Sequence, residues 1–199
     1  CWTLMQPASR PARDNPRICH SMRQTVNDFL RALIAGVLIS LGCAVNAKVG
    51  GVVGALLFAC GLCTIIQFRL PLFTGIVAEK PQWSMLAILA GNSAAAVAGH
   101  YLFGIELAPT TAPLLKILCG GTGTGILMVA AYKSKSFVVA ILGVMLFILC
   151  GFPHCIAECG YMRMDALQWI MACLGNIIGG QIWRILDLPS AGRPVGKED

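Results

Sequence analysis

Six apolar runs, each about as long as a bilayer is thick, take up most of this 199-residue chain. A membrane-spanning helix needs about 20 predominantly apolar residues. The runs extend from Asp28 to Val45, Gly51 to Phe68, Trp83 to Phe103, Pro113 to Tyr132, Phe137 to Ile156, and Leu167 to Leu186. The connections between them are too short for a soluble domain. A β-barrel would alternate apolar and polar residues, and Val138 to Val144 does not alternate. Charged residues make up 12% of the chain, against about 25% in ordinary globular domains. That composition excludes a disordered protein, a disulfide-dense miniprotein and a free cytosolic enzyme. The pattern predicts an all-α integral membrane protein with six transmembrane helices.

The placement of charge orients it. Arg10, Arg13, Arg17, Arg23, Lys80, Lys133, Lys135, Arg184, Arg193 and Lys197 fall on one side, and only Lys48 and Arg163 on the other. This asymmetry puts both termini in the cytoplasm and predicts a multi-pass protein of the plasma (inner) membrane. The net charge of +6 is spread over loops and tails, so nucleic acid is not an expected partner. Residues 1–21 lack a signal-peptide core and read as a disordered extension ahead of Met22. Residues 22–188 form the transmembrane domain and 189–199 a cytoplasmic tail. Most of the ten cysteines lie inside apolar runs, where a thiol behaves as a small hydrophobe. No metal or cofactor is expected.

The chain also repeats itself. The third run carries Gly91-Asn92 and the sixth Gly175-Asn176, placing the two asparagines 84 residues apart. The second run continues into Leu70-Pro71-Leu72-Phe73-Thr74-Gly75, and the fifth contains Gly151-Phe152-Pro153-His154. With three helices per half, the second half enters the membrane from the opposite side, so the repeats are inverted and each breaks its middle helix. Proline removes a backbone donor and clashes with the preceding turn. A broken backbone at membrane depth is tolerated where it is buried or lines a polar path, and paired breaks in inverted halves point to a permeation site. Gly36 and the glycines of the second and sixth runs read as close-packing positions.

His154 is the most informative polar residue, since ionisable groups in spanning helices face a cavity or a partner. An imidazole donor would lower the cost of stripping water from a small anion. Phe147, two helical turns earlier, and Phe58 and Leu62 on the second helix are candidate apolar constrictions. Arg69 either meets anions or snorkels to the interface, and Lys116 presents the same alternatives. His100 reads as interfacial. Trp83, Tyr101, Tyr132 and Trp183 sit where an aromatic belt would. Two readings from other classes stay open: a pore for neutral solutes such as water or ammonia, and a membrane thiol oxidoreductase built on Cys60, Cys63, Cys155 and Cys159.

Residues 28–188 resemble the formate/nitrite transporter family. Phe58-Ala59-Cys60-Gly61-Leu62 and Leu72-Phe73-Thr74-Gly75 are similar to its F-x-x-G-L and L-F-T-G-N elements, and Gly151-Phe152-x-His154-x-x-Ala157 to its G-F-x-H-x-x-A-N motif. The resemblance implies an aquaporin-like fold and a homopentamer with one pore per subunit. It also implies passage of small monovalent anions or their conjugate acids, the class of formate, nitrite and hydrosulfide, without chemical turnover. By position it makes His154 and Thr74 the pore centre and Phe58, Leu62, Leu72, Phe73 and Phe147 the constrictions. Departures occur at Pro71, Ile76 and Pro153, and at Glu158, where the family has asparagine. The pore-facing asparagine of the fourth helix falls at Thr124 or Gly125, making Thr124 a candidate lining residue.

Overall fold

The computed structural model describes residues 16–79, 83–134 and 136–186. The elements are α1 (Pro16–Val49), α2 (Gly51–Gln67), α3 (Phe73–Ile76), α4 (Trp83–Phe103), α5 (Leu114–Ser134), α6 (Phe137–Leu149), α7 (Cys155–Tyr161) and α8 (Ala166–Ile185). There is no strand among the described residues. Five of the six apolar runs begin within one residue of a helix start. The exception is α1, which begins at Pro16, inside the stretch expected to be an extension. Nothing between Ile18 and Ala35 is glycine or proline, so no residue there stops a helix. Residues 1–15 and the expected tail, 189–199, lie outside the described residues.

The second and fifth runs are each broken, and the breaks are copies of one another. α2 ends with Arg69 N–H donating to the Ile66 carbonyl at 3.2 Å and Leu70 N–H to that of Ile65 at 2.9 Å. α6 ends with Gly151 N–H donating to the Ile148 carbonyl at 3.0 Å and Phe152 N–H to that of Phe147 at 2.8 Å. Both are Schellman closures, which need a left-handed residue just past the helix end. That residue is Arg69 (φ 50°) in one half and Gly151 (φ 66°) in the other. Pro71 and Pro153 follow two residues later and forbid any continuation of the helix. An extended residue then caps the short helix beyond: Leu72 for α3 and His154 for α7.

Two buried asparagines hold these breaks in place. Asn92 on α4 accepts from Phe73 N–H (2.9 Å) and donates to the carbonyls of Ala32 (2.8 Å) and Pro71 (3.2 Å). Asn176 on α8 accepts from Cys155 N–H (2.9 Å) and donates to the carbonyls of Gly121 (2.8 Å) and Pro153 (3.1 Å). Backbone groups freed by the breaks are thus satisfied inside the protein, as a low-dielectric setting demands. The supporting helices cross in matching ways: α1 lies on α4 and α5 on α8. A methyl on Gly36 would run into the Asn92 carbonyl, and one on Gly125 into that of Asn176. Only glycine allows either approach.

Polarity is distributed inside-out. Ser40, Thr74, Asn92, Thr124, His154, Glu158 and Asn176 are buried, while Leu41, Leu56, Leu102, Leu142, Leu146 and Ile178 are exposed. Arg23–Val49, Ser84–Phe103 and Leu114–Ser134 are long and apolar enough to cross a membrane, and α2 and α6 are shorter apolar helices. An exposed apolar surface of this extent marks contact with lipid or with other chains.

Candidate permeation site

The two breaks meet. Thr74 Oγ1, on α3, lies 2.8 Å from His154 Nε2, the residue capping α7. Both side chains are fully buried. The other ring nitrogen, Nδ1, accepts the Ala157 backbone N–H at 3.1 Å. A backbone N–H can only donate, so Nδ1 carries no proton. The ring is therefore the neutral imidazole with its hydrogen on Nε2. Nε2–H donates to the Thr74 hydroxyl oxygen, leaving the threonine hydroxyl hydrogen to point elsewhere.

Two phenylalanines cover the ring. Phe147 stacks on His154 with centroids 5.5 Å apart and planes at 19°, and Phe58 meets Phe147 edge-on at 6.0 Å and 90°. The Phe147–His154 contact does not come from two turns of one helix face, as the spacing suggested. α6 ends at Leu149, and the contact forms across the break. Leu62, Leu72 and Phe73 are buried in the same apolar cluster as Phe58 and Phe147. The copied geometry makes Leu72, not Thr74, the positional counterpart of His154. Thr74 sits one half-turn further along and reaches the ring from the opposite half.

Two cavities stand out, of which one touches this centre. One of about 50 Å³ is walled by His154, Phe147, Glu158, Tyr161, Arg163 and Asn46, among others. A larger one of about 480 Å³ is lined by Ile66, Gln67, Arg69, Tyr132 and Phe137. They lie well apart along the length of α1. Asn46 near the end of α1 donates to Tyr161 Oη at 2.7 Å, while Arg31 near its middle donates to the Arg69 carbonyl at 2.7 Å. Fifteen residues of helix separate these points, about 22 Å at ~1.5 Å rise per residue.

Arg69 thus faces the cavity on the Arg31 side, exposed and away from the His154 centre. Thr124 is buried, but its hydroxyl donates to the Gly120 carbonyl of its own helix at 3.3 Å and lines neither of these cavities. Lys116 is exposed at the start of α5. His100 Nδ1 lies 3.0 Å from the Gly160 carbonyl, tying α4 to α7. Tyr132 is half-buried and donates to the Leu70 carbonyl at 3.2 Å, bracing the first break. Cys60 is exposed, Cys63 and Cys159 half-buried and Cys155 buried, all four as free thiols.

Sequence reasoning missed the pair beside the smaller cavity. Glu158 lies one turn after His154 on α7. Its carboxylate accepts from Arg163 Nε and Nη2, both at 2.7 Å. Met162 takes a left-handed turn (φ 49°) that folds Arg163 back over the helix end, above the Tyr161 ring at 5.3 Å. The Glu158 hydrogen bonds hold the Arg163 guanidinium above its ordinary range, against the opposing effect of burial. The available signal was the acid at 158 followed five residues later by the lone arginine of that side.

The fold is shared with solved channels. A pentameric formate channel with formate bound superposes with a TM-score of 0.69 at 18% identity, over 82% of this chain and 96% of that one. An FNT family ion channel superposes with a TM-score of 0.69 at 19% identity, over 86% of this chain and 92% of that one. This chain has their fold. No protein-family model and no curated protein matches the sequence.

Proposed function

We propose that this chain is a membrane channel of the formate/nitrite transporter type, passing small monovalent anions or their conjugate acids without chemical turnover. In this reading it crosses the plasma (inner) membrane six times as two inverted three-helix repeats in an aquaporin-like arrangement. Both termini are cytoplasmic and five copies assemble. The observation that carries the reading is the hydrogen bond between Thr74 and His154 at the junction of two matched helix breaks.

The permeant passes the Arg69 cavity, then Leu62, Leu72 and Phe73, and meets Thr74 and His154. It leaves past Phe58 and Phe147 by the smaller cavity. Apolar walls on both sides strip its water and bar larger or multivalent ions. The Nε2–H of the neutral ring is the donor that replaces lost hydration, exchanging the Thr74 oxygen for the permeant. Support for the assembly and the substrate class comes from the likeness to a pentameric formate channel.

Flux of formate, nitrite and hydrosulfide into proteoliposomes, with wild type beside His154→Ala, tests this. The reading expects anion flux in the wild type and a loss of at least tenfold in the variant. Equal flux in both rejects the role of His154. Swelling driven by water or ammonia, with none of the three anions moving, assigns the neutral-solute pore instead.

A further inference from the structure

The Arg163 guanidinium has five N–H donors, of which the Glu158 carboxylate uses two. The other three have no hydrogen-bond partner among the described residues. The arginine side chain keeps 28% of its surface exposed while that of Glu158 keeps 2%, so the cation can be reached and the carboxylate cannot. Both line the about 50 Å³ cavity that also touches His154. The backbone of Arg163 is anchored, since Thr110 N–H donates to its carbonyl at 2.8 Å. The Tyr161 ring lies beneath the guanidinium, with its hydroxyl held by Asn46.

We propose that Arg163 is a capture station for a small monovalent anion on the outer side of the pore, and that Glu158 keeps the capture weak and selective for single charge. This rests on the channel reading above and names a site within it. A guanidinium with open donors binds an oxyanion or hydrosulfide by charge-assisted hydrogen bonds. The carboxylate beside it cancels its net charge. One added negative charge is then tolerated and readily released toward His154, while a second is repelled by Glu158 at close range.

The test compares the KM for formate in right-side-out and inverted vesicles, with sulfate as competitor. Glu158→Gln leaves the arginine unopposed: KM on the Arg163 side falls about tenfold, and sulfate, inert toward wild type, now competes from that side. Arg163→Gln raises KM on that side about tenfold or more, with KM from the opposite side unchanged. If Arg163→Gln does not fold, Arg163→Lys carries the test, keeping the charge while losing the fork. It is expected to raise KM on that side by several-fold. Folded variants whose KM stays within twofold of wild type overturn the proposal, as do equal shifts from both sides, which describe a purely structural clasp. Wild-type vesicles that move no anion overturn the channel reading itself. Wild-type flux with unshifted one-sided KM overturns only the station.

Discussion

Removing either asparagine clamp should unseat the site from a distance, and the cost can be worked from the hydrogen bonds. In Asn176→Ala the Cys155 N–H loses its acceptor, and the Pro153 and Gly121 carbonyls lose a donor. The N–H is the expensive loss, because a buried donor without a partner costs about 1–3 kcal/mol. The two carbonyls add less, and the deleted amide leaves a small cavity. The sum is about 3–5 kcal/mol. For a chain of this size that corresponds to a fall of roughly 6–20 °C in Tm. Asn92→Ala removes the equivalent three bonds at the first break, so its loss should match within about 1 kcal/mol. Thermal unfolding in detergent, followed by loss of the monodisperse elution peak, measures both. Either variant should also lower proteoliposome flux, since α3 carries Thr74 and α7 carries the His154 contact. A Tm within 2 °C of wild type for one asparagine and a large fall for the other would refute the argument that the two breaks are held by the same device.

Thr74→Val keeps the volume and removes the acceptor for the buried His154 Nε2–H, which costs about 1–3 kcal/mol; flux should fall about tenfold and Tm by roughly 2–12 °C, measured on one preparation. Solid-state ¹⁵N NMR of labelled histidine should find His154 with a protonated Nε2 and a bare Nδ1; a protonated Nδ1 would contradict the cap from Ala157. Gly151→Ala meets no neighbouring atom yet forces a side chain onto φ 66°, which costs about 1–2 kcal/mol. At the equivalent position Arg69→Gly should be neutral or stabilise by up to about 1 kcal/mol, and the opposite signs can be read as Tm shifts.

Much of this was legible in the chain because the physics is local. Apolar run length fixed the helices, and five of six starts were read to within a residue. Pro71 and Pro153 marked both breaks, since no neighbouring residue can restore a missing backbone donor. His154 announced itself as an ionisable group inside an apolar run. What escaped depended on through-space relations. Gly91-Asn92 and Gly175-Asn176 were visible as a repeated pair, but nothing in a dipeptide says that its amide will cross to a proline carbonyl 21 or 23 residues away. Arg69 did not read as a helix terminator because arginine rarely takes φ 50°; its role emerges only beside Gly151, which does the same work in the other half. Nor does position say where the Thr124 hydroxyl hydrogen goes: a threonine in a helix can donate to the carbonyl one turn back, and this one does.

The two breaks, built alike, are not interchangeable. Leu72 and His154 occupy equivalent caps with nearly identical backbone angles, φ −116° and −111°. Leucine offers its short helix no cap of its own, whereas histidine accepts the Ala157 N–H and thereby commits its proton to Nε2. One copy of the break therefore supplies an apolar wall and the other a directed donor. Thr74, two residues beyond the leucine, supplies the oxygen that receives that donor. Matched Schellman closures give the two breaks their shared geometry; a single pair of unlike caps gives the centre its polarity. Exchanging them, with Leu72→His and His154→Leu together, should preserve the fold and move the donor to the other half, a rearrangement that the ¹⁵N signature would report directly.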